Sequence, residues 1–269
     1  MNNIFDFKRF GKYFLYDLRN AKNNYALSLL ILGTLPITLF VVYQLFSLIF
    51  TQRFIDVNDA AKYMQFFIAT TVAILGAGTK IYGNLTEKRS GANFLMIPAS
   101  TFEKWLSMVL MVCIVLPVIL LVLQFGSDAL MALFFPNTYG GRFFELVPLQ
   151  QVNDALTAEG ISINLPAIFI LDWFESVLTF TLGAICFKRS KVAKTILCLF
   201  ACSMVLSMIG MIFVTGNGTM VIGWFEWCDR FASPAEAARG LNWLINISFF
   251  VFIGGLLGGI YYRLRTLKH

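Results

Sequence analysis

Residues 105–125 read WLSMVLMVCIVLPVILLVLQF and contain no charged side chain. An α-helix rises about 1.5 Å per residue, so about 20 apolar residues cross the roughly 30 Å hydrocarbon core of a bilayer. Charged side chains are costly in hydrocarbon, and this stretch has none. The segment from Trp105 to Phe125 is therefore predicted to be a transmembrane helix.

Similar apolar runs account for most of the chain, and we place them at about 25–50, 63–82, 165–187, 192–214 and 241–262. Of the 269 residues, 58% are hydrophobic and 13% are charged, whereas soluble domains are about 45–50% apolar and about 25% charged. So few charges exclude a soluble enzyme, a disordered chain and a secreted disulfide scaffold. We predict an all-α membrane protein with six transmembrane helices within residues 25–262.

The basic residues predict the orientation of these spans. Most of the 21 Lys and Arg residues lie in the amino-terminal segment, the second and fourth connections, and the tail 263–269. Because basic residues accumulate on the cytoplasmic side of membrane proteins, both termini are predicted to be cytoplasmic. The net charge of +6 therefore reflects membrane topology, and no nucleic-acid partner is expected.

The segment 1–24 is basic and aromatic. At helical spacing its apolar residues share one arc, and Lys8, Arg9, Lys12 and Arg19 share the neighbouring arc. This pattern is typical of an amphipathic helix that lies in the headgroup plane of a membrane. We therefore predict a separate interfacial helix over residues 1–24.

The predicted cytoplasmic connection 83–104 reads GNLTEKRSGANFLMIPASTFEK and is a candidate partner-coupling segment. Ser100 and Glu103 are spaced as in a helix capping box. An apolar patch flanked by charges suits docking on a cytoplasmic partner, but it also suits packing against the lipid interface or neighbouring helices. The candidate coupling residues are Glu87, Lys88, Arg89, Phe94, Leu95, Met96, Ile97 and Pro98.

Two acids lie inside the fourth apolar run. Asp172 and Glu175 are three residues apart and share a helix face. Acids within a span form part of a translocation path or a proton-coupling site, or they reach the headgroups at the end of the helix. Both interpretations remain open at this level.

Nothing in the sequence predicts catalysis. The only histidine is His269, and no nucleotide-binding GxxxxGK[ST] motif occurs. We therefore expect no catalytic, metal or cofactor site in this chain, and we expect that it is not an enzyme.

The order of these segments resembles the permease subunit of bacterial ABC transporters of the ABC-2 exporter type. In particular, EKRSGANFLMIPASTFEKWLS, from Glu87 to Ser107, is similar to the coupling run of small bacterial permeases of this kind. The third connection, 126–164, is long for that family. The resemblance implies a multi-pass protein of the bacterial inner membrane and coupling through about residues 87–100. It also implies a separate ATPase subunit that binds ATP and a second permease subunit, identical or different.

Two other functions remain open at this level. One is a secondary transporter or channel that works without an ATPase and uses Asp172 and Glu175. The other is a membrane scaffold or sensor that signals through the connection 83–104.

Overall fold

The computed structural model describes residues 5–87, 91, 94–143, 165–216 and 234–267. Every regular element within these ranges is a helix, which confirms the all-α prediction. A 3-10 turn, Gly83–Thr86, follows the third helix, and a π-helical turn, Met111–Val115, joins the fourth to the fifth. The α-helices are α1 (Phe7–Gly33), α2 (Leu35–Thr51), α3 (Asp59–Tyr82), α4 (Thr101–Leu110), α5 (Leu116–Phe134), α6 (Pro136–Tyr139), α7 (Leu165–Cys186), α8 (Lys191–Gly216) and α9 (Pro234–Thr266).

Four segments of the described chain are long and apolar enough to cross a membrane: Asp59–Thr86, Thr101–Phe134, Ile168–Cys186 and Asn246–Thr266. A fifth is obtained when α1 and α2 are taken together as one bent span. The chain is thus a helical protein with several helices suited to a membrane. The predicted run 192–214 forms helix α8, which is not among these segments, so the number six and the sidedness of the termini remain predictions.

The predicted boundary between an interfacial helix and the first span is absent. Helix α1 continues without a break through residues 24 and 25, and the chain bends by 48° only between α1 and α2. No proline occurs in α1, whereas Pro36 lies in the first turn of α2 and lacks the N–H that would continue the helical ladder. The separate helix expected over 1–24 is therefore the first part of a longer helix.

The long third span is interrupted where its sequence contains a proline. Pro117 follows the π-helical turn Met111–Val115. Proline removes a backbone donor and its ring clashes with the carbonyl four residues earlier, and a π-turn is one way of accommodating this within a continuous span. The span nevertheless extends from Thr101 to Phe134, beyond the core of residues 105–125.

Close packing of α3 against α7 holds the centre of the bundle. A Cβ added to Gly78 would lie 2.8 Å from the Cα of Thr181, so only glycine permits this separation. The largest apolar core cluster includes Tyr25 of α1, Met108 of α4, Leu120 of α5, Leu178 of α7 and Ile260 of α9. Five helices therefore share one core around α3.

A buried polar cluster closes one end of the bundle. The ammonium of Lys62 donates to the carbonyl of Gly141 at 3.0 Å and lies 4.3 Å from the ring centre of Tyr139. The buried carboxylate of Asp128 accepts from the Tyr139 hydroxyl at 2.7 Å and from the Phe143 N–H at 2.8 Å. Burial, followed by the hydrogen bond to Asp128, raises the pKa of Tyr139. These contacts hold the chain that follows α5 against α3.

Candidate functional site

The candidate coupling segment lies at the other end, which we call the basic end because Arg9, Lys104 and Lys191 lie there. Helix α3 ends at Tyr82, the turn Gly83–Thr86 follows, and Glu87 is exposed. Residues 94–96 are helical, and α4 begins after Ser100. The predicted residues Lys88 and Arg89 lie outside the described residues.

The apolar residues of the coupling segment divide into exposed and anchored side chains. Met96 is 80% exposed and Leu95 is 45% exposed, whereas Phe94 and Ile97 are half-buried. Pro98 is also exposed. The two large exposed side chains, Leu95 and Met96, thus form an apolar tip on an anchored base.

Phe94 is part of that base. It packs against the main apolar core cluster. The Lys104 ammonium donates to the Phe94 carbonyl at 2.7 Å and lies 4.7 Å from the centre of its ring. One lysine of α4 therefore holds both the backbone and the ring of the residue that precedes the exposed tip.

The capping box predicted at Ser100 is present. The Ser100 hydroxyl accepts from the Glu103 N–H at 3.2 Å, and the Glu103 carboxylate accepts from the Ser100 N–H at 2.8 Å. The same carboxylate accepts from Arg9 Nε at 2.8 Å, from Arg9 Nη2 at 2.8 Å and from the Asp6 N–H at 2.9 Å. The Glu103 side chain is fully buried, and it joins the start of α1 to the start of α4.

A second buried acid joins three helices at this end. The Asp17 carboxylate of α1 accepts from the Tyr82 hydroxyl and from the Ser107 hydroxyl, both at 2.7 Å. Asp17 therefore links α1 to the end of α3 and to the first turns of α4. The two helices that flank the coupling segment share one hydrogen-bonding partner.

The first residue of α8 also contacts the start of the coupling segment. The Lys191 ammonium donates to the carbonyl of Gly83, next to the end of α3. A Cβ on Gly183 of α7 would lie 2.9 Å from the Cβ of Thr195 of α8. This close approach directs the start of α8 toward the 3-10 turn.

The residues that hold this base were not among the predicted site residues. Asp17 lies four residues from Tyr13 and from Ala21, and these three share the buried face of α1. The sequence signal for a buried Asp17 was its position in a row of apolar residues at helical spacing. Arg9 was predicted only as one of the cations on the arc beside the apolar residues of the segment 1–24. Its partner Glu103 lies 94 residues away, so no local pattern identified the pair.

The acids of the fourth run lie on α7, away from the coupling segment. Asp172 is exposed and Glu175 is half-buried. Glu175 lies 11 residues before the end of α7 at Cys186, which is about 16 Å along the helix. Within the described part of the chain, neither acid forms an ion pair. A translocation role for them stays a prediction.

The chain was compared with protein-family models, with curated proteins and with solved structures, and no match was found.

Proposed function

We propose that this chain is the membrane-spanning permease subunit of an ATP-driven exporter in a bacterial cytoplasmic membrane. In this proposal a separate ATPase subunit docks on the coupling segment, binds ATP and hydrolyses it. Two permease subunits together form the translocation path, and this chain performs no catalysis itself. The observation that carries the proposal is the exposed apolar tip, Leu95 and Met96, on a base anchored to the bundle.

The anchoring supports a mechanical role for the segment. A force on Met96 acts on Phe94 and Ile97 within the same short segment, and Phe94 is held by Lys104 of α4. Since Glu103 binds Arg9 of α1, displacement of α4 also moves α1. Docking at two exposed side chains is thereby coupled to several helices of the core, as alternating access requires.

The first experiment tests docking through the tip. The tagged full chain is purified from its native membranes in mild detergent, and the co-purifying ATP hydrolysis is measured. The double variant Leu95→Glu, Met96→Glu places charge on the tip and leaves the anchors intact. We expect it to lose the co-purifying ATPase activity, while the amount of inserted chain stays unchanged.

Leu15→Glu is the matched control. Leu15 is an exposed apolar residue of α1, within two turns of Arg9, and it lies outside the coupling segment. We expect this variant to retain the ATPase activity, because its added carboxylate lies on a different surface. Absence of ATPase activity from the wild-type preparation, or equal activity in the tip variant, would contradict the proposal.

One observation favours a second candidate, a transporter driven by an ion gradient. Asp172 and Glu175 both lie within Ile168–Cys186, a segment apolar enough to span a membrane. In that case transport requires no ATPase, follows the proton or ion gradient, and is abolished by Asp172→Asn. The same preparation distinguishes the two functions, since an exporter subunit retains its ATPase partner in this variant.

A further inference from the structure

A polar cavity of about 200 Å³ lies at the basic end, between α1 and the segment that joins α3 to α4. One wall is a row of α1 residues that includes Tyr13, Asp17 and Asn24, and the opposite wall includes Tyr82 and Phe94. Asp17 is the only charged residue among the described residues that line it. The cavity therefore combines one acid with aromatic rings and side-chain amides.

Among the described residues, no cation pairs with Asp17. It is 2% exposed, and both hydroxyl groups that bind it donate to the same carboxylate oxygen, Oδ2. Within the described residues Oδ1 accepts no hydrogen bond, and no lysine or arginine lines the cavity. Buried carboxylates are normally paired with a cation, because burial without one is costly.

The other lining groups suit an organic cation. Tyrosine and phenylalanine rings attract ammonium groups through their faces. The Asn24 amide donates to Asn20 Oδ1 at 2.8 Å, which leaves the carbonyl oxygen of Asn24 as a hydrogen-bond acceptor. A volume of about 200 Å³ exceeds that of a single metal ion and leaves room for a small amine. A carboxylate, an amide oxygen and aromatic residues therefore line one cavity, a combination that suits an ammonium group.

We propose that this cavity binds a primary ammonium group with Asp17 as its counter-ion, while Asn24, about 10 Å further along α1, accepts from another N–H or O–H of the bound molecule. The group comes either from a free small amine or from the headgroup of an aminophospholipid, since both present the same chemistry. Phe94 of the coupling segment borders the site, but the proposal does not depend on an ATPase partner.

The test uses the full chain purified in detergent, with thermal unfolding as the measurement. Ethanolammonium chloride is titrated against sodium chloride at equal ionic strength. A second arm compares bilayer discs of phosphatidylcholine alone with discs that also contain phosphatidylethanolamine. We expect a saturable increase in Tm with ethanolammonium or with phosphatidylethanolamine, because a ligand that binds only the native state stabilises it. The arm that responds identifies the source.

Three variants make the test specific. Asp17→Asn removes the counter-ion, so the response to ammonium is lost. Ser107→Ala removes one donor but retains the carboxylate, so the response is retained. Asn24 is exposed, so Asn24→Leu leaves the fold intact, and loss of one hydrogen bond raises the half-saturating concentration about three- to tenfold. This variant decides the matter if Asp17→Asn does not fold.

The proposal is overturned by any of three outcomes. It fails if neither arm raises Tm, if sodium chloride is as effective as ethanolammonium, or if Asp17→Asn and Asn24→Leu respond like the wild type.

Discussion

The close contact between α3 and α7 can be tested by replacing glycine with alanine at two positions, one in the contact and one outside it. At Gly78 an added Cβ would meet the backbone Cα of Thr181 at 2.8 Å, whereas at Gly126 no atom of the described residues lies within 4 Å. Both glycines lie inside helices, so replacement by alanine brings the same intrinsic gain of about 0.5–1 kcal/mol. At Gly78 the helices must also separate, and overpacking costs about 1–3 kcal/mol.

The intrinsic gain cancels when the two variants are compared. We therefore expect Gly126→Ala to have a free energy of unfolding about 1–3 kcal/mol greater than that of Gly78→Ala, which corresponds to about five- to 150-fold in the unfolding constant. The assay is reversible unfolding in mixed micelles, followed by loss of helical circular dichroism. Native helix content is measured first, to establish that both variants fold.

A third variant identifies the atom responsible. Thr181→Ala removes the hydroxyl that would lie 2.9 Å from the new Cβ but leaves the backbone Cα at 2.8 Å. It should therefore restore only part of the stability lost in Gly78→Ala. Equal stability of the two alanine variants, or full restoration by Thr181→Ala, would refute the argument that backbone contact sets the distance between α3 and α7.

Two further predictions concern buried acids. Glu103→Gln and Arg9→Gln should each lower Tm, and the double variant should lose less than the sum of the two, because each single change removes the same ion pair; additive losses would show that the pair does not couple α1 to α4. Asp128→Asn should lower the free energy of unfolding by about 1–3 kcal/mol, because Asp128 accepts one buried and one partly buried hydrogen bond and an amide has only one oxygen to accept them. The same unfolding assay measures this loss, and an unchanged stability would contradict it.

Local features of the fold could be predicted from the sequence. The capping box at Ser100 was predictable because its two hydrogen bonds join residues three apart. The bend between α1 and α2 also has a local cause, because Pro36 in the first turn of α2 lacks the N–H that would continue the helical ladder. By contrast, the helix end predicted at residue 24 was wrong, because a change of polarity along the chain does not by itself end a helix.

The sequence did not distinguish the anchored from the exposed residues of the coupling segment. Phe94 and Met96 are both large and apolar, yet Phe94 is held by Lys104 and Met96 is 80% exposed. The difference arises from the position of α4 relative to this segment, which is a tertiary property.

The apolar runs by themselves determined that this chain forms helices suited to a bilayer, because burial in hydrocarbon requires every backbone group to be bonded within its own segment. Only the tertiary structure decided which face of each helix meets protein. Lipid and protein interior are equally apolar, so hydropathy does not separate them; Leu29 is buried while Leu30 is exposed. The same holds for Asp17, whose partners lie 65 and 90 residues away. Such long-range pairs depend on how the helices assemble.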